Sequence, residues 1–414
     1  MSAERHPRIL AVGEEARVTP IELFFDLVFV FAITQVSSLM GADLSARGIV
    51  RGLLVLSLLW WCWVGYAWLG NVVRADEGVG RVAMFGAMTA MFIVALTVPE
   101  AFDDLEGGLS GPVVIALGYL AVRVLHLTIF WFAAGAHDDA ALRGQLIRWA
   151  PSVLGGTALL LVASQLEGAA QTWAWAAALV ADYLGTILAG ASGWRLNSAA
   201  HFAERHGLIV IIALGESIVA IGLGVVHVPI SMPIVAASVL GLTLAGAIWW
   251  AYFDVGSLIA ERTLRRSQGE ARNRLARDAY SYLHLPMIAG IVLMAFGLEE
   301  VMTQVGGEHG HAITEALPTL FLVAMYGGVA LFLVSNVAFM FRVERIVKVR
   351  RVIAAAVVLA LIPVGMLLPA LGALALVVAA MVLLIVVESI RFAEARERIR
   401  HEDDREGAGG AEHP

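Results

Sequence analysis

One cysteine stands in 414 residues. It is Cys62, inside an apolar run, and a single thiol excludes an intrachain disulfide or a thiolate metal site within one chain. Charge is also scarce, at 15% of residues against roughly 25% in soluble domains. The first twenty residues lack the short apolar stretch and small-residue cleavage site of a secretory leader, so the first apolar run is expected to act as its own insertion signal. No Walker phosphate loop, Gly-x-Gly-x-x-Gly fingerprint or Gly-x-Ser-x-Gly elbow occurs, which argues against ATP-driven transport by this chain alone and against the common enzyme frameworks. His201 and His206 flank Glu204 without the His-Glu-x-x-His zinc spacing, and the segment Glu308-His309-Gly310-His311 reads as a short outside loop rather than a zinc site. No catalytic residue, metal site or cofactor is expected, and no feature suggests nucleic-acid recognition.

Apolar residues are what the chain has in quantity: 59% of the total, with a mean hydropathy of +0.81. A membrane span needs about 20 mostly apolar residues. Twelve such runs are expected, at 21–40, 49–70, 82–99, 111–135, 149–167, 171–192, 206–226, 231–253, 281–303, 317–341, 352–369 and 371–391. The fold class is therefore all-α, a polytopic membrane helix bundle. Basic residues give its orientation, because Lys and Arg gather on the cytoplasmic side. Twenty-five of the 28 lie in one set of alternating loops and the two tails, Arg47 and Arg51 lie on the other side, and Arg123 lies within a span. Both termini are thus expected in the cytoplasm of a bacterial cell. The longest internal connection, 255–279, is arginine-rich and reads as a short surface helix near anionic lipid. Residues 392–414 read as a charged, frayed tail.

The two halves echo each other. Glu22 opens the first span as Glu204 precedes the seventh. Trp60-Trp61-Cys-Trp63 resembles Trp249-Trp250-Ala-Tyr252, the Glu100 region resembles that of Glu299 and Glu300, and Asp182 in span 6 falls opposite Glu388 in span 12. These matches keep their order, so two parallel six-helix repeats are expected: a tail at 1–20, repeats at 21–192 and 206–391 joined by a linker at 193–205, and the tail at 392–414. Parallel repeats are one transporter architecture; they also build symmetric bundles with no transport role.

The run Glu22-Leu-Phe-Phe-Asp26-Leu-Val-Phe-Val-Phe-Ala-Ile-Thr34-Gln35 resembles the opening signature of the bacterial low temperature requirement protein A (LtrA) family. Gly207 to Glu216-Ser217, Trp249-Trp250-Ala-Tyr252-Phe253-Asp254 and Tyr282-Leu-His284-Leu-Pro286 support the resemblance, which covers about residues 17–392. The chain departs from the family's pattern at Ser335-Asn336, where the family often carries a Gly-His pair. The resemblance implies a multi-pass bacterial membrane protein linked by name to growth in the cold. That name records a phenotype rather than a reaction.

Charged side chains inside lipid are costly and mark functional or paired sites. Asp26 lies one turn beyond Glu22, with Ser37 on the same face of span 1. The pair reads as a proton or cation site, or as interfacial capping favoured by the helix N-terminus after Pro20. Tyr119, Arg123 and His126 share a face of span 4. A centred arginine costs roughly 2.5–3.5 kcal/mol on insertion scales, so Arg123 needs an acid, with Asp182 and Glu216 at similar depth. That pair reads either as a static tie or as an exchange site. His284 reads as a relay or as a packed histidine. Glu204 joins the candidates through the repeat. The tryptophans Trp60, Trp61, Trp63, Trp68, Trp249 and Trp250 read as an aromatic belt, and Gly215 with Gly222 as a close-packing stripe.

Three functions fit this pattern. The first is a secondary transporter or ion/proton pathway using Glu22, Asp26, Arg123, His126, Asp182, Glu204, Glu216 and His284. The second is a non-transporting sensor or membrane organiser for cold adaptation. The third is a membrane-embedded lipid-modifying enzyme, against which the absence of a nucleophile motif counts. The partners implied are the lipid bilayer and a proton, cation or small-molecule substrate. Nothing in the sequence specifies an oligomeric state.

Overall fold

The computed structural model describes residues 12–391 except 15, 137, 227 and 308–313. Residues 1–11, the expected tail 392–414 and the segment Glu308–His311 lie outside the described residues. The described chain is helical: α1 Pro20–Ala42, α2 Ala46–Val72, α3 Gly78–Thr97, α4 Gly111–Ala136, α5 Ala140–Ala163, α6 Gly168–Ala189, α7 Ala199–Leu223, α8 Met232–Phe253, α9 Gly256–Arg266, α10 Gly269–Leu275, α11 His284–Gly306, α12 Thr319–Glu344, α13 Val349–Ala360, α14 Ile362–Gly365 and α15 Ala370–Arg391. A 3₁₀ turn at Val98–Glu100 extends α3, and a π-helical segment at Ala276–Tyr282 joins α10 to α11.

Local chemistry sets several of these starts. Pro20 opens α1, where its missing N–H costs nothing, and Glu22 Oε2 accepts from Thr19 N and Thr19 Oγ1 at 2.9 and 2.8 Å. Ser45 caps α2 by accepting from Gly48 N, Asp139 caps α5 by accepting from Leu142 N, and Ser231 caps α8 by accepting from Ile234 N. Each bond satisfies one donor that a helix start leaves over.

Eleven helical stretches among the described residues are long and apolar enough to cross a membrane. They correspond to the expected spans with one exception. The run expected at 352–369 is broken into α13 and α14. Pro363 cannot donate to the carbonyl four residues back, and its ring crowds the preceding turn. Span 7 was expected to begin at 206, but α7 begins at Ala199. Seven residues counted as linker, Arg205 among them, are therefore helical.

The chain forms two compact units, one of residues 1–216 with 263–293 and the other of 217–262 with 294–414. In the first unit α1 packs on α2 and α3, α4 on α3 and α5, and α5 on α6. Its interior is unusually aromatic. Trp60, Trp61, Trp63 and Trp68 are all buried, which corrects the aromatic-belt expectation for α2. Three of their N–H groups find buried partners. Trp60 donates to Ser281 O, Trp68 to Ser281 Oγ and Trp63 to Asp26, while Trp61 stacks on Tyr183 at 4.0 Å. Buried indoles seek such partners. Trp249 and Trp250 are exposed along α8, at 44% and 37%.

In the second unit α8 packs on α15 and α12 on α13. Its buried polar centre is Arg351, which binds Glu388 through two N–H···O contacts at 3.1 and 2.9 Å, donates to Ala251 O at 2.8 Å and also donates to Asn336. Asn336 thus serves as an acceptor for the arginine. Among the described residues nothing lies within 4 Å of a Cβ built on Gly215 or on Gly222, so the close-packing stripe expected there has no close neighbour. Gly297 makes a close approach instead, its Cβ position falling 2.5 Å from Phe321 O.

Candidate functional site

The first cluster lies at the start of α1. Pro20 and Glu22 fix the helix start, and the helical repeat then sets Asp26 one turn along on the same face. Both carboxylates are 1% exposed. Glu22 Oε2, which accepts from Thr19, and Glu22 Oε1 meet His201 Nε2 at 3.1 and 3.0 Å. Arg205, one turn beyond His201 on α7, sits between the two acids: Nη2 donates to Asp26 Oδ1 at 2.9 Å and Nη1 lies 3.9 Å from Glu22 Oε1. Trp63 Nε1 donates to the same Asp26 oxygen at 2.9 Å, and the guanidinium of Arg205 stands 5.5 Å from the Trp63 ring. Asp26 Oδ2 has no protein hydrogen-bond partner. Two carboxylates therefore share one arginine, and their charge balances only with a proton or a cation added at His201 or at the open Asp26 oxygen.

The backbone around this cluster is built to hold it. Asn71 on α2 accepts from Asn197 N and Ser198 N at 2.6 and 3.0 Å. It donates to Ser198 O at 2.6 Å and lies 3.3 Å from His201 Nδ1. Gly70 brings α2 so close that a Cβ there would fall 2.4 Å from Glu22 Oε1. Glycine at this position makes room for the carboxylate.

The second cluster ties α4 to α6. Arg123 Nη2 lies 3.4 Å from both Asp182 oxygens. Tyr119 donates to Asp182, and Ser152 Oγ donates to it at 3.3 Å. The Arg123 guanidinium sits 4.4 Å from the Trp149 ring, and Trp149 Nε1 donates to Thr186 Oγ1 at 2.7 Å. All these side chains but Ser152 are buried. The acid that Arg123 requires is thus Asp182. Glu216 is held elsewhere, accepting from Thr34 Oγ1 at 2.8 Å.

The remaining candidates separate. His126 is buried beside Arg123, its ring 5.4 Å from those of Tyr66 and Trp149. His284 stacks on Tyr280 at 5.3 Å and meets His206 at 5.1 Å; the Nδ1–H groups of the two histidines donate to Ala279 O and Phe202 O. Glu204 is exposed and accepts from Val18 N at 3.2 Å, outside the cluster formed by its neighbours. Among the described residues no three His, Cys, Asp or Glu side chains are arranged to hold a metal ion.

Arg205, His201, Trp63 and Asn71 belong to the first cluster and were not among the residues expected there. Sequence alone places Arg205 in a connecting loop and offers His201 only as part of an incomplete zinc spacing. The signal available was spacing: His201 and Arg205 are four apart, as are Glu22 and Asp26, so two helix faces of complementary charge were legible as a pair.

Buried charge clusters inside a bundle of long apolar helices define the class as a multi-pass membrane protein. The sequence profile of the bacterial low temperature requirement A protein (LtrA) matches residues 17–386, and the chain belongs to that family. It is 28% identical over 328 residues to an uncharacterised protein of Rhizobium meliloti (strain 1021), covering 76% of this chain and 75% of that one. No solved structure matches it.

Proposed function

We propose that this protein is a secondary transporter or ion/proton pathway of the bacterial cytoplasmic membrane, with both termini in the cytoplasm, and that the Glu22–Asp26–His201–Arg205 cluster carries the coupling proton or cation. The observation that supports this reading is the charge balance of that cluster: two buried carboxylates for one arginine, with an Asp26 oxygen left open. A purely structural ion pair has no use for the second acid, because an unmatched buried charge costs several kcal/mol. An exchangeable proton or cation gives it one, and intramembrane acids of this kind mark such pathways.

Reconstituted liposomes under imposed proton, sodium and potassium gradients test the proposal. Wild-type protein should dissipate at least one gradient, and Asp26→Asn should abolish that flux while keeping a monodisperse, folded preparation. Liposomes that stay tight under every gradient would overturn transport and leave the sensor reading in place.

A further inference from the structure

The first unit contains a small, partly open space of about 30 Å³ that the contacts above do not fill. Its walls include four tryptophans (Trp61, Trp68, Trp149 and Trp194), with Arg123, His126 and Arg277. Three of these side chains carry buried polar atoms with no protein hydrogen-bond partner: Trp61 Nε1, Arg123 Nε, and both ring nitrogens of His126. Indole and guanidinium nitrogens only donate, and a neutral imidazole offers one further donor. The lining contains two arginines and no carboxylate. Asp182 and Asp278 pair with those arginines from outside the lining. Gly65 opens the wall at this point: a Cβ there would fall 2.8 Å from His126 Cε1 and 3.3 Å from Arg123 Nη1.

We propose that this space is a binding site for a small monovalent anion of about the size of a water molecule, such as chloride or bromide. The hydroxyls of Thr186 and Ser281 in the lining already accept from Trp149 and Trp68; apart from one His126 ring nitrogen the unmet groups are donors, and donors select an acceptor ligand. Unmet buried donors cost roughly 1–3 kcal/mol each, so several on one wall are a standing demand for such a partner. Both arginines are paired with carboxylates outside the lining, so no negative group faces the space, and a volume that holds about one water excludes sulfate and phosphate. The site lies apart from Glu22 and Asp26 and does not depend on flux through them.

Thermal unfolding of the purified full-length protein tests this, with chloride or bromide replacing gluconate at fixed sodium and ionic strength. A ligand that binds the folded state raises the midpoint saturably. Chloride and bromide should do so and sulfate should not. Trp61→Phe keeps the stack on Tyr183 but removes the N–H, and should raise the half-saturating concentration about tenfold, equivalent to ~1.4 kcal/mol. Trp173→Phe, on an exposed face of α6, should leave it unchanged, and so should Asp26→Asn, which separates this site from the transport proposal. Bromide-soaked crystals of the wild type should show an anomalous peak between Trp61 and His126. Equal midpoints in chloride and gluconate, an unchanged half-saturation in Trp61→Phe, or no bromide peak in the space each overturn the assignment, the last leaving water as its occupant.

Discussion

Arg123 has one acid within reach, and both groups are buried. Removing one partner of such a pair costs about 3–5 kcal/mol, because the other charge is stranded. Arg123→Leu should therefore cut expression and thermal stability sharply, whereas Arg123→Leu with Asp182→Asn should recover most of the loss, Asn keeping an acceptor for Tyr119 and Ser152. If the pair is a static tie, the double variant recovers flux as well; if Asp182 exchanges its partner during transport, the double variant folds and stays inactive. Gly70 gives a sharper test of the first cluster. Gly70→Ala gains roughly 0.5–1 kcal/mol of helix propensity but drives a methyl group into Glu22 Oε1. Because the carboxylate is the far end of a flexible side chain, it can swing away from His201. Stability should change little while flux falls; unchanged flux would remove Glu22 from the mechanism.

Among the elements, the segment between α6 and α7 is fastened from three helices. Gln145 on α5 donates to Ala189 O and Gly190 O, Asn273 on α10 donates to Ala191 O and Trp194 O, and Asn71 on α2 holds Asn197 and Ser198. Asn273→Ala strands buried carbonyls at a cost of roughly 1–3 kcal/mol. It should speed amide exchange over 191–196 and leave α1 protected, as measured by hydrogen–deuterium exchange. The start of α5 is pH-sensitive for a related reason. The hydrogen bond from the Arg195 side chain, at 2.5 Å, holds Asp139 below the usual carboxylate range despite partial burial, and the Leu142 N–H adds to it. A lowered folded-state value means this contribution is present above the ordinary Asp value of about 3.9 and is lost as pH falls through the lower folded value. Thermal midpoints should thus drop on acidification below about pH 4. Arg195→Ala should flatten that drop, and an identical slope in the variant would refute the link.

Across the whole molecule, basic residues cluster on alternate connections, and the orientation proposed from them has a direct test. In a Cys62→Ser background, Leu109→Cys should react in intact cells with an impermeant thiol reagent and Glu270→Cys should not. Both sites are exposed, so accessibility and not burial decides the result. The opposite pattern would invert the topology and place the Glu22 cluster at the outer face.

Composition and periodicity by themselves determined the class of this protein and nearly all of its spans, because a span must satisfy its backbone internally over a fixed apolar length. They also placed Glu22 and Asp26 on one face and required an acid for Arg123. Pairing across helices was decided only by tertiary packing: Asp182 rather than Glu216 for Arg123, and Arg205 from the start of α7 for Asp26. Burial of the α2 tryptophans was decided there too, since apolar rings with N–H tips suit an interfacial belt and a polar interior equally well by sequence. Sequence spacing reports which side chains share a helix face. Which face meets which neighbour depends on contacts between residues more than a hundred positions apart, as Asp26 and Arg205 are, and those exist only once the bundle has closed.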